Sequence, residues 1–487
     1  MINYSKIKLI GAFSKEKGAA LLWAVILIAI VAGFLITAVS LVLLGLKNSQ
    51  TGVRRVSALD VAEAGVNYYM WHLVHAPDDY KDGNATPASP PYGPYSHDYN
   101  DNTGKKIGIY TIWITPPQAA GYSVSIQSTG RVVGGSENRT IVAKLGIPSF
   151  AQFAVVSNDT INDLRFGEDT EIWGPIHNNG GIRFDGIAHG LVTSSVSTYR
   201  DPDTGLTEPG VYTTQPHPAQ VFLGGTSFPV PTVDFNRITA DFVKLKTLAS
   251  SGSGYIGPSN ASGYHIVLKT NDTFDLYKVT NVSGSCSGSA TDKINNQQIV
   301  SSGRPFPANG VIFVEDKLWI DGQINGAYLT IAAAKIGATD GQQEPIIINN
   351  DLKYTNYDGS DKLGLIAQSD ISVGLYSEGS FTGTDEQKEL RIDAALIAQN
   401  GRVGRNYFDP SCDSTYYQRY KITVYGSVAT NKRYGFAWIC GNDWTKGDSC
   451  DSGYQYRNII FDQNLITVPP PFFPTIGNYA ILDWREK

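Results

Sequence analysis

The feature that most constrains this chain is an uncharged apolar run near its start, AALLWAVILIAIVAGFLITAVSLVLLGL, covering residues 19–46. It opens at Ala19 and closes at Leu46, with Trp23 near its head. About 20 apolar residues, rising 1.5 Å each, cross a bilayer core of roughly 30 Å, so the run spans with a little to spare. It is longer than the apolar centre of a cleaved secretory signal, and no small-residue cleavage box of that kind follows. Lys6, Lys8, Lys15 and Lys17 precede it against Glu16 alone. By the positive-inside rule that end stays cytoplasmic, although Lys47, Arg54 and Arg55 beyond the run weaken the bias. No second such segment follows, so a single-pass protein with an extracytoplasmic body is expected.

The helix is expected to continue past the membrane. Val53, Val56, Leu59, Ala62, Val66, Tyr69 and Leu73 recur at steps of three and four, which makes one helical stripe. Arg54, Arg55, Asp60, Glu63 and Asn67 fall on the other faces, and no proline intervenes before Pro77. The spacing predicts a single rod over residues 19–76, about 55 residues and ~80 Å long, greasy in its first half and amphipathic in its second.

The residues around this rod resemble those of a known family. A short basic leader over residues 1–18, then Lys17-Gly18-Ala19 and the apolar helix, resembles the class III signal of type IV pilins. Asp60-Val61-Ala62-Glu63-Ala64-Gly65-Val66 is similar to the "AEAG" segment of PilX-type minor pilins and related pseudopilins. The resemblance implies cutting between Gly18 and Ala19 by a prepilin peptidase. It also implies a packing helix from Ala19 through Trp23 to Leu46, with Arg54, Arg55 and Glu63 as charge partners of neighbouring subunits. Other pilin-like subunits, the pilus assembly machinery and membrane lipid are the implied partners. One departure stands out: major pilins carry Glu at the fifth mature position, where this chain has Trp23. That favours a tip or assembly-initiating subunit, or else a signal anchor that never enters a fibre.

Beyond the rod, residues 77–104 are rich in Pro, Asp, Gly, Tyr and Asn and read as a linker. The period then changes to two. Ile107, Ile109, Thr111 and Trp113 alternate with Tyr110, Ile112 and Ile114, and two further alternating runs at 122–126 and 139–145 complete a three-strand antiparallel meander over 105–147. Its "STGR" is placed in a turn at Ser128-Thr129-Gly130, and this meander also resembles the first sheet of PilX-type proteins.

Residues 148–465 show short apolar bursts broken by Gly, Asn and Asp, the pattern of stacked coils. Leu365-Ile366-Ala367-Gln368 recurs as Leu396-Ile397-Ala398-Gln399, with Ser427-Val428-Ala429-Thr430 a further copy and Val373-Gly374 matching Val403-Gly404. The expected fold is mainly β with one long N-terminal helix, a β-meander and then a right-handed β-solenoid; a β-sandwich is the rival. Inserts are expected at 200–260, with a helix over 232–248, and at 405–455, and a Pro/aromatic tail over 466–487 lying back along the body. Fifty glycines, 27 tyrosines and only 17% charged residues suit short strands and tight turns.

A net charge of -6 argues against nucleic acid, whose phosphates call for a basic surface. Cys440 and Cys450 are near enough for a local disulfide, leaving Cys286 and Cys412 for a long one; four unrelated thiols are the alternative, and no zinc spacing is present. His177, Asp185 and His189 have catalytic or metal-binding flavour, but Asn, His and Asp also suit coil corners. Asp351, Asp361, Asp370 and Asp393 read better as turn caps than as the carboxylates of a polysaccharide lyase. Tyr, Trp and Asn at 406–456 have the composition of a sugar-stacking surface, or simply of strands. No catalytic or metal residue and no cofactor is assigned. The expectation is a non-enzymatic subunit of a type IV pilus or secretion pseudopilus presenting its β body for adhesion or contact. The alternative is a membrane-tethered carbohydrate-active β-helix protein.

Overall fold

The helix runs unbroken from Lys17 to His75, as its lack of proline allows. The computed structural model describes residues 17–85, 89–117, 123–161, 163–441 and 444–487, without the side chains of 17–19 and 237–241. Most of the basic leader therefore lies outside the described residues. Strand makes up 42% of the chain and helix 18%, so the fold is mainly β behind one long helix.

After the helix comes an antiparallel sheet of five strands rather than three. Strands Lys106–Thr115, Ser123–Val132 and Asn138–Gly146 form its centre. The stretch read as a linker supplies a fourth, Tyr92–Asn100, paired with Lys106–Thr115. Its alternation of Tyr with small polar residues was hidden by the prolines around it, which a sheet tolerates at an edge. The fifth strand, Ala480–Glu486, arrives from the far end of the chain and pairs with Asn138–Gly146. The tail thus closes the first sheet, with the whole body inserted between two neighbouring strands. Gly130 is not in a turn: Ser128, Thr129 and Gly130 continue the strand, and Gly130 pairs with Arg139.

The body is a stack of coils joined by three parallel ladders. On one face Ile331 pairs with Leu365, Leu365 with Leu396 and Leu396 with Val428. The repeated Leu-Ile-Ala words are therefore successive rungs. The third copy is in register at Val428, one residue later than its letters suggest, and Val403 stands beside Ile371 rather than Val373. Strand Lys362–Ala367 is buried at every position. Leu365 and Ala367 enter the central core, while Ile366 points out beneath other segments, because side chains alternate across a strand.

A simple solenoid would wind in chain order, and this stack does not. Val428 pairs next with Val155, Val155 with Ile176 and Ile176 with Val192. The chain enters at the middle of the stack, builds coils outward to Thr226–Ser227, and then restarts at the opposite end with Tyr255–Ile256. From there it winds back until its last coil meets its first. Part of the insert at 200–260 is the crossover that makes this possible. Helix Ile238–Ser251 begins later than expected, after a short 3-10 turn at Phe235–Arg237. Phe242, Leu245 and Ala249 lie over Val311 and Phe313, covering the outer face of the ladder. The tail completes the cover: Phe473 rests where Gly364 lacks a side chain, a Cβ there falling 2.8 Å from the ring.

The expected insert at 405–455 also proves smaller. Strands Gln418–Thr430 and Ser452–Phe461 are rungs of the stack itself. Also not anticipated, strand Gly263–Lys269 is a rung beside Leu318–Ile324, and a hairpin of Thr273–Val282 with Ile294–Pro305 projects from its free edge. Cys286 near its end is bonded to Cys412, and Cys440 to Cys450.

Candidate functional site, an anchor helix docked on its own sheet

The helix has two environments. Every described side chain from residue 20 to residue 50 is exposed, including Trp23 at 68% and Leu46 at 55%. Among the described residues, one helix is long and apolar enough to cross a membrane, and this is it. The second half is covered by the chain's own sheet. Val61, Ala62, Val66, Tyr69 and Leu73 pack against Tyr110, Ile112, Val124, Ile126, Ile141 and Ala143. The predicted stripe holds from Leu59, which is half-buried against the same core, onward. It fails at Val53 and Val56, which remain exposed because the sheet ends below them.

The two motifs singled out in the sequence meet here. A Cβ on Gly130 would lie 2.3 Å from both the Ala58 carbonyl oxygen and the Ala62 amide nitrogen. A Cβ on Gly65 would lie 2.3 Å from Ser128 Oγ and 2.9 Å from the Tyr110 ring. The small residues of Ala62-Glu63-Ala64-Gly65 and the glycine of Ser128-Thr129-Gly130 thus bring helix and sheet backbones into direct contact. Gly130→Val is expected to destabilise this junction by about 1–3 kcal/mol, since rigid backbone must move to admit the side chain. Hydrogen exchange on the detergent-solubilised chain should quicken over residues 58–73. Gly284→Ala, with open space around its site, should leave that exchange unchanged.

A polar latch fixes the end of the rod. The Tyr68 hydroxyl donates to Asp82 at 2.9 Å and the Tyr69 hydroxyl to the Asp79 carbonyl at 3.0 Å. His72 Nε2 lies 3.0 Å from Asp79, and His97 Nε2 2.7 Å from Asp82. Burial disfavours charge on Asp79, but the Lys81 and Gly83 amides and His72 outweigh it and hold the carboxyl below its usual range. Burial pushes the Tyr110 hydroxyl up to about 12, keeping it neutral against the helix.

Gly18 and Ala19 lie in the helix backbone, at the edge of what is described. Arg54 and Arg55 are exposed and make no ion pair among the described residues; Glu63 is half-buried. The other sequence candidates are dispersed over the body. His177, Asp185 and His189 belong to three different ladders and have separate partners. His177 is buried between Thr193 and Asn179, each 3.0 Å away, and burial lowers its pKa. Asp185 accepts from Arg183 and Thr214, and His189 meets Glu171 at 2.7 Å. The four aspartates act as caps: across coils Asp351 takes the Arg391 amide, Asp370 that of Arg402 and Asp393 that of Tyr354, while Asp361 caps its own turn at Thr355 and Asn356. Half of the aromatics of 406–456 are buried, Tyr454, Tyr434 and Phe408 among them.

No family model matches this chain, and no curated protein does. Among solved structures, the competence-associated pilin ComZ from Thermus thermophilus matches over 89% of this chain and 97% of its own, at 14% identity and a TM-score of 0.30. At that score the two chains share no demonstrated architecture.

Proposed function

We propose that this chain is a structural, non-enzymatic subunit of a type IV pilus or related pseudopilus, with the stacked β body presented at the cell surface. The observation that carries it is the rod: one helix, bare and apolar over its first half, docked by its second half onto an antiparallel sheet of its own chain. A helix so exposed requires lipid, or the apolar helices of neighbouring subunits, to cover it. The close fit of the "AEAG" and "STGR" segments supports a PilX-type kinship. Trp23 at the fifth mature position favours a tip or initiating place over the shaft. The leader stays cytoplasmic, the body is extracytoplasmic, and Arg54 and Arg55 face neighbouring subunits. The separate partners of His177, Asp185 and His189 support a role in contact rather than catalysis.

Mass spectrometry of the protein from membranes of its native host is the test. The expected mature chain starts at Ala19 with a methylated amine. A chain that keeps its leader would overturn the pilin reading and leave a plain membrane anchor.

A further inference from the structure

Where the last coil meets the first, two of the three ladders are continuous and the third is open. Val428 pairs with Val155 and Ile459 with Ile172 across this seam. On the remaining face, the run through Ile371 and Val403 ends at a bridge from Gly404 to Gly435. The next strand, Leu164–Phe166, pairs only away from the seam, with Ile182–Phe184, among the described residues. Beside the contact of the Phe166 and Tyr434 rings, 5.5 Å between centres, the missing rung leaves a cavity of about 340 Å³ lined by Phe166 and the segment Tyr434 to Phe436.

Arginines from distant parts of the chain line it: Arg165, Arg183, Arg402, Arg433 and Arg457. Two are neutralised locally. Arg165 is held by Asp163, Asp201 and Asp203, and Arg183 by Asp185. Arg402, Arg433 and Arg457 have no carboxylate within ion-pair distance among the described residues; at longer electrostatic reach Asp370 acts on Arg402, Asp163, Asp203 and Asp159 on Arg433, and Asp169 on Arg457. Arg402 lies over the Trp438 ring, 4.9 Å from its centre, and donates to the Arg405 carbonyl. Arg457 is 4% exposed; its Nε and Nη1 bond Thr170 and the Tyr454 carbonyl, but its Nη2 has no partner. That orphan nitrogen sits beside Gly167, also on the cavity wall.

A guanidinium keeps its proton at any ordinary pH, so its charge must be compensated where it is buried. Burial already pulls Arg402 and Arg457 below the ordinary arginine value. We propose that this seam cavity is a binding site for an oxyanion, a carboxylate or phosphate group carried by a small ligand, held by Arg402 and Arg433 above the Arg457 guanidinium. The half-exposed Trp438 at its edge would border the rest of the ligand. Occupation would also join two coils far apart in sequence at their one unpaired edge.

Titration calorimetry on the full detergent-solubilised chain at low salt tests this, with inorganic phosphate and glucuronate as separate probes. Saturable binding of at least one is expected; glucuronate the tighter points to a sugar acid, phosphate to a phosphorylated ligand. Arg433→Gln should weaken binding about tenfold or more, the usual loss of a charge-assisted contact, with partial recovery in Arg433→Lys. Lys105→Gln, the same charge change on the distant sheet, should have no effect. Unliganded melting curves of each variant separate lost binding from lost fold. Absence of saturable binding by either probe, or equal losses in Arg433→Gln and Lys105→Gln, would overturn the proposal.

Discussion

Lys362→Met is expected to destabilise the body by about 3–5 kcal/mol, the largest effect of any single substitution considered for this chain. Lys362 and Asp462 are both almost wholly buried, 1% and 2% exposed, with Nζ 3.2 Å from Oδ2. Burial pulls the Lys362 ammonium below its ordinary value, against the opposing pull of Asp462. Asp462 in turn accepts at Oδ1 from the Asn464 amide at 3.0 Å and from Asn464 Nδ2 at 2.8 Å. The pair ties the end of strand Ser452–Phe461, just before the tail, to the coil that opens with strand Lys362–Ala367, beside the ladder that the tail covers. Removing the cation strands a carboxylate in low dielectric, whereas removing both charges does not. Denaturant unfolding should therefore show the double change Lys362→Met with Asp462→Asn recovering more than half of the loss. A single-variant loss below about 1 kcal/mol would mean the pair is hydrated and the argument wrong.

Replacing both Cys286 and Cys412 by serine is expected to lower stability by about 2–4 kcal/mol. This bond joins residues 126 positions apart, against 10 for Cys440–Cys450. Closing a longer loop removes more freedom from the unfolded chain, and the difference between these two loops amounts to about 2 kcal/mol. The bond also pins the projecting hairpin to the segment around Asp409, where the Ser287 hydroxyl donates to its carboxylate. Chemical unfolding of the two double-serine variants should rank the long bridge as the costlier loss. Equal losses would show that the hairpin is already held by its other contacts.

The rod was legible from composition and period alone. A proline-free helix whose stripe repeats every three or four residues is a local property, and Ala62, Val66, Tyr69 and Leu73 are buried as that stripe requires. The Leu-Ile-Ala words likewise announced rungs, since equivalent positions on stacked coils meet the same surroundings. Their register was less legible: loops of unequal length shift Val428 by one residue, and only the hydrogen-bonded ladder settles the count.

What covers what lay beyond the sequence. The amphipathic half of the helix docks on the chain's own sheet, because Gly130 and Gly65 let the backbones touch. Strand Tyr92–Asn100 was masked by prolines, and Ala480–Glu486 is a strand only because Asn138–Gly146 offers it a free edge. The stack starts in its middle and closes on itself, an order no periodicity encodes. Local repeats determine which elements form, since each depends on neighbours a few residues away. Pairing between residues hundreds of positions apart is decided by which edges and apolar faces remain uncovered once those elements exist.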